Sequence, residues 1–248
     1  MGQCIAVVSG KGGTGKTSFT AGVGEALALS GRRVLCLDCD VGLRNLDLAL
    51  GLSDRALMDF SDVAQGRCSL DAAVVEHPQL PGLFLLTAPV RTRGRPVPEG
   101  QMADLLTEVR KRYDFCLLDA PAGLGGGFVL ATAAADRAVV VTTTDTSSLR
   151  DAQHTVMELD RFGSGKLHLV VNRVRRKMLR SMHATIDDAI DTAGLPLIGV
   201  VPEDDALLLS LNRGTPLLLS DGQGAAASAY RNIAKRLQGG KVPLLRIK

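Results

Sequence analysis

One eight-residue segment limits this chain more than any other: Gly10-Lys11-Gly12-Gly13-Thr14-Gly15-Lys16-Thr17. It matches the pattern G-x-x-x-x-G-K-[ST] and lies between an apolar run at 5–9 and a helical pattern at 16–30. Glycines in such a loop let backbone N–H groups turn toward an anion, and the helix that follows adds its positive dipole end. A chance glycine-rich turn is the alternative, and a strand before it and a helix after it leave that alternative little room. Residues Gly10 to Ser18 are therefore the expected nucleotide-phosphate site. Lys16 should reach the β- and γ-phosphates of ATP, and the Thr17 hydroxyl should ligate Mg²⁺.

A strand feeding a helix through such a loop belongs to an α/β fold, and the rest of the chain agrees. Apolar runs at 33–38, 82–87, 114–119, 138–143, 167–172 and 197–201 alternate with helical patterns at 101–112, 147–162, 184–193 and 226–237. The runs are continuously hydrophobic, as strands buried on both faces of a parallel sheet must be. The expected fold is a doubly wound, mostly parallel sheet with helices on both faces. No repeat or linker divides the 248 residues, so residues 1–237 read as one ATPase domain and 238–248 as a short basic tail. Pro-rich 89–98 reads as a surface loop. With aromatics at 3% and no Trp, the core must be built from Leu, Val, Ile and Ala, which suits a sheet covered on both faces.

The net charge of +3 is too small to indicate nucleic acid. Its distribution is less even. Residues 222–248 hold six Lys/Arg and residues 173–180 hold five, neither with an acid. Each cluster is either a solvated face or a contact for an anionic partner. The five cysteines read as reduced and mostly buried. Cys36 and Cys39 have C-x-x-C spacing, but residues three apart on a strand face opposite ways and cannot share a metal. The histidines His77, His154, His168 and His183 show no metal spacing. No signal peptide or spanning segment is evident, so a cytoplasmic protein is expected, with peripheral attachment to a membrane left open.

Lys11, a second lysine at the head of the loop, makes the segment KGGTGKT, and here the chain resembles the MinD/ParA family of deviant Walker A ATPases. Further segments follow in order: Asp38-Cys39-Asp40-Val41-Gly42-Leu43-Arg44-Asn45-Leu46-Asp47, Phe115-Cys116-Leu117-Leu118-Asp119-Ala120-Pro121, Ser147-Ser148-Leu149-Arg150-Asp151, Val171-Asn172-Arg173 and Gly199-Val200-Val201-Pro202-Glu203-Asp204. The first of these is most like the MinD branch. The resemblance implies slow, partner-stimulated ATP hydrolysis with Mg²⁺ by an ATP-bound homodimer. It assigns Lys11 to the partner subunit's phosphates, Asp40 to the attacking water and Asn45 to a γ-phosphate-sensing segment. It places Asp38 near the Mg²⁺ shell and Asp119 in it, as a Walker B carboxylate. Asn172 and Pro202 match positions that frame adenine, although a turn role fits either residue equally well. Asp151 matches a partner-contact residue, or is an exposed helix charge.

The same resemblance implies a role in placing the division septum, by recruiting a MinC-like division inhibitor to an anionic membrane and releasing it under a MinE-like factor. Members usually end in an amphipathic membrane helix. Residues 238–248 are too short for a stable one, so either the chain is truncated, or that helix is missing in nature, or a weakly binding remnant stands in its place. The alternatives are a ParA-like partition ATPase, a flagellar-number ATPase, or a nucleotide-gated scaffold with little hydrolysis. Partition activity would use a basic face on DNA, the less favoured partner.

Overall fold

The computed structural model describes residues 1–53, 55–90, 96–163, 165–182 and 185–245. Strand β1 (Gln3–Val8) leads to α1 (Lys16–Leu29), β2 (Val34–Asp38), short helices α2 (Leu46–Ala49), α3 (Phe60–Ala64) and α4 (Leu70–Ala73), then β3 (Val75–Glu76) and β4 (Leu83–Leu86). After these come α5 (Glu99–Arg112), β5 (Phe115–Asp119), α6 (Gly126–Ala133), β6 (Arg137–Thr142), α7 (Thr146–Met157) and a 3₁₀ turn at Asp160–Phe162. The chain continues through β7 (Leu167–Val174), α8 (Arg176–Ser181), α9 (Ile186–Ala193), β8 (Leu197–Pro202), α10 (Asp205–Arg213), α11 (Leu217–Ser220) and α12 (Ala225–Leu237).

The strands form one sheet in the order β3-β4-β2-β5-β1-β6-β7-β8, parallel except for the β3–β4 pair. Its strands alternate between two cores. Cys4, Ala6 and Val8 face the core shared with α3 to α7 and α9, while Ile5 and Val7 face the core shared with α1, α2, α11 and α12. All five are fully buried, which is why β1 reads as unbroken apolar sequence. Cys36 and Cys39 fall in different cores, as their spacing requires. Four of the five thiols are buried, and none is in a disulfide. The chain leaves β1 for α1 between β5 and β6, so a crevice opens at the C-terminal ends of these strands.

The expected doubly wound sheet is present, with every expected strand. The helix expected over 147–162 ends instead at Met157, and the 3₁₀ turn takes over the rest. Ala184, Arg246, Ile247, Lys248, His183 and residues 91–95 of the 89–98 loop lie outside the described residues. Residues 241–245 carry no regular structure. Among the described residues no helix is long and apolar enough to cross a membrane.

Helix α1 is buried almost all round and carries Glu25, only 1% exposed, whose carboxylate accepts the Leu218 N–H at 2.9 Å. Burial raises its pKa from 4.5 to about 7. The folded state therefore holds this proton more tightly than the unfolded chain. The contribution is fully present below about pH 4.5 and is lost as pH rises through about 7, on the order of 3 kcal/mol. Glu25→Gln should flatten the fall in unfolding free energy between about pH 5 and about pH 8 by that share, with Asp38 and Asp119 keeping the remainder. Denaturant titrations at the two pH values measure it, and parallel curves for parent and variant would refute it.

Candidate nucleotide site

The 10–17 loop leaves β1 and enters α1 through glycines, of which Gly10, Gly13 and Gly15 could not be replaced without strain. Gly13 and Gly15 have φ of 80° and 89°. A Cβ on Gly15 would lie 2.3 Å from Asn172 Nδ2, and one on Gly10 would lie 2.5 Å from the Asp151 carbonyl oxygen. Gly15 is also the N-cap of α1. No side chain caps this helix and its first turn holds no acid, so its leading N–H groups remain open to an external anion. Lys16 is 7% exposed and donates to Ser9 Oγ at 2.8 Å, while Ser9 donates to the Lys11 carbonyl at 2.7 Å. Burial lowers the Lys16 pKa, and Asp119 and Asp40 act against that shift. The loop is thus a cradle with a cation at its floor.

Two carboxylates stand beside it. Asp38 ends β2, Asp119 ends β5, and the two residues are paired in the sheet register. Thr17 Oγ1 donates to Asp119 Oδ2 at 2.7 Å, and Thr20 donates to Oδ1 at 3.3 Å. Asp38 accepts the backbone N–H groups of Asp40 at 2.8 Å and Leu46 at 3.3 Å. It therefore ties down the start and the end of the 40–46 segment, which contains Asn45. Burial raises Asp119 to about 7, with the Asp38 charge adding to the shift, and raises Asp38 to about 6, with Asp40 and Asp47 adding to it. Burial also raises Asp40, with Lys16 opposing.

Such a pair is short of positive charge. Among the described residues no three His, Cys, Asp or Glu side chains converge as a closed metal cage. A hydroxyl beside one or two carboxylates at a phosphate cradle fits Mg²⁺, which keeps waters and takes substrate oxygens as ligands.

The cleft in front of the loop has a volume of about 470 Å³, and Lys16, Thr17, Asp40, Asn45, Asn172 and Pro202 all line it. Asn172 sits in a bulge of β7: Val171 pairs with Val200 and Val174 with Pro202, leaving two residues opposite one. The bulge turns its side chain to the loop, where Nδ2 donates to the Thr14 carbonyl at 2.8 Å. Its Oδ1 is buried with no partner, as is Thr14 Oγ1. Pro202 closes β8 at the same wall.

Lys11 lies apart from that cluster. Its ammonium, 45% exposed, donates to Ser147 Oγ at 2.7 Å and pairs with Asp145 at 3.4 Å. The structure adds side-chain roles that the motifs did not assign. Arg173, in the same bulge with φ of 55°, donates to the Gly13 carbonyl at 3.2 Å and to Glu203 at 3.2 Å, and Arg175 also pairs with Glu203. The quoted 199–204 segment contains Glu203, but only the bulge shows that two arginines meet there. Asp145 caps α7 through the Ser148 N–H, a cap that the Asp-Thr-Ser-Ser run could have signalled.

Residues 5–217 match the CobQ/CobB/MinD/ParA nucleotide binding domain. The chain is 39% identical over 246 residues to the septum site-determining protein MinD of Synechocystis sp., covering 99% of this chain and 92% of that one. In structure it resembles MinD from the MinC:MinD cell division protein complex of Aquifex aeolicus (TM-score 0.91, 35% identity, 98% of each chain). It also resembles the Pyrococcus horikoshii septum site-determining protein complexed with Mg-ADP (TM-score 0.85, 30% identity, 96% of each chain).

Proposed function

Because this chain belongs to the CobQ/CobB/MinD/ParA nucleotide-binding family, with relatives alike over nearly their full length, we propose that it is a MinD-like, Mg²⁺-dependent ATPase that helps place the division septum. The observation that carries the reading is the open cradle: an uncapped helix start with Lys16 at its floor and Thr17 bonded to Asp119 beside it.

ATP lies with its phosphates on the 10–17 loop. Backbone N–H groups and Lys16 take the charge that builds on the γ-phosphate oxygens. The Thr17 hydroxyl and Asp119 would hold Mg²⁺, with Asp38 near its shell. That ion would neutralise phosphate charge. The orphaned Asn172 Oδ1 is an acceptor for adenine's amino group, which guanine lacks at that position. Asp40 orients the attacking water, and Asn45 shares its segment, which Asp38 anchors at two points. Lys11 leaves Asp145 and Ser147 to reach the partner subunit's phosphates. The ATP-bound homodimer then engages a MinC-like inhibitor at an anionic membrane surface, and a MinE-like factor speeds hydrolysis. The MinC:MinD complex of a relative supports the first partner.

Asp40→Ala separates this reading from a scaffold. With ATP, light scattering after gel filtration should show a dimer that persists in the variant and decays in the parent, with monomers in ADP. Hydrolysis should fall by about 100-fold or more, the scale of a lost water-activating group. Equal turnover in variant and parent, or no ATP-dependent dimer, would count against it.

A further inference from the structure

At the opposite end of the sheet, where β1, β5 and β6 begin, lies a second cavity of about 420 Å³. Arg32, Arg137 and Arg236 line it, with Asp114 as its one carboxylate. Arg32 comes just before β2, Arg137 opens β6, and Arg236 stands in the last turn of α12. Among the described residues none of the three is in an ion pair.

Each guanidinium has five N–H donors. Arg236 uses four of them on the carbonyls of Ile198, Val242 and Pro243. Arg137 gives one to the Leu237 carbonyl at 3.3 Å and meets His168 Nε2 at 3.4 Å. Arg32 gives one to Gln238 Oε1 at 2.9 Å. Many donors on Arg32 and Arg137 thus remain uncommitted. Arg137 and Arg236 are half-buried, and burial lowers the pKa of both, the sign of a cation short of counter-charge. Two half-buried guanidinia and one exposed one, facing one cavity against a single carboxylate, form an anion trap, and their planar forks match tetrahedral oxyanions best.

We propose that this cavity is a second anion site, distinct from the nucleotide cleft, that binds a phosphate group through Arg32, Arg137 and Arg236. The phosphate could belong to free phosphate or to a phospholipid headgroup. Arg236 also fixes Val242 and Pro243 beside the cavity, next to half-exposed Leu244, so a headgroup bound there would have an apolar side chain nearby. No residue of the nucleotide cleft takes part, so failure of this site leaves the ATPase reading standing.

The test uses the full chain and the variants Arg32→Gln, Arg137→Gln and the double variant. Inorganic phosphate is titrated calorimetrically in a Lys16→Ala background, which weakens phosphate binding at the loop. Each lost guanidinium should weaken binding about fivefold, the scale of one basic residue at an anionic surface. In parallel, each protein is sedimented with vesicles of phosphatidylcholine alone or mixed with phosphatidylglycerol. Loss in both arms assigns the site to headgroups, and loss with free phosphate alone assigns it to the soluble ion. Arg32 is exposed and makes one side-chain bond, so Arg32→Gln should fold like the parent, as its circular dichroism melt would confirm. Unchanged phosphate and vesicle binding in that variant overturns the proposal.

Discussion

Lys16→Ala is expected to reduce ATP hydrolysis by about 100-fold to 1000-fold, the scale for losing a preorganised charge at a reacting group. Lys16 is the floor of the cradle and the only lysine among the residues lining the nucleotide cleft. Its ammonium is held ready by Ser9, so little reorganisation is needed when phosphate arrives. The fold should tolerate the change. Burial already disfavours the ammonium, and removing it relieves that cost while leaving Asp119 bonded to Thr17 and Thr20. A steady-state phosphate-release assay beside a thermal melt distinguishes the cases. A near-parental melt with turnover lost fits the cradle, whereas turnover within about tenfold of the parent would exclude Lys16 as the γ-phosphate cation.

The largest effect on stability is expected at Tyr230. This ring is fully buried, meets Phe19 edge-on at 6.3 Å and lies over Gly22, where a Cβ would come within 2.3 Å of it. It locks α12 to α1, the helix that carries the loop. Tyr230→Ala should cost about 3–5 kcal/mol, the range for truncating a buried aromatic. The hydroxyl is buried without a partner, so Tyr230→Phe should be neutral or slightly stabilising. Urea titrations of the pair would separate packing from polarity. Equal losses in both variants would mean that the hydroxyl, not the ring, holds the helices together.

Much of this was legible because burial on both faces of the sheet imprints unbroken apolar runs. Phe115–Asp119 and Val34–Asp38 are buried at every position, so each read as a strand and its terminal aspartate stood out. The loop was legible because its glycines and lysines stand at fixed spacing within eight consecutive residues. Other elements left no such imprint. Helices α2, α4 and α11 have four residues each, too few to show a period. Helix α6 opens on Gly126 and Gly127, which argue against a helix in isolation. The grip of Arg173 and Arg175 on Glu203 depends on a bulge and a left-handed residue, and Arg32, Arg137 and Arg236 come from distant parts of the chain. Only the folded sheet brings those groups together.

The flush ends of β2 and β5 carry one more implication. Asp38 and Asp119 pair in register, Cys39 N–H donates to the Asp119 carbonyl, and Gly123 N–H donates to the Ser9 carbonyl. The segments after the two strands and the head of the phosphate loop are thus stitched to one another at their roots. A chemical event at the loop reaches both segments together, like two needles on a single dial. Evolution cannot then tune one segment in isolation, because a change in either shifts the rest position of the other. Their sequences must drift as a linked pair, with epistasis built into two backbone hydrogen bonds and a strand register rather than into any side-chain contact.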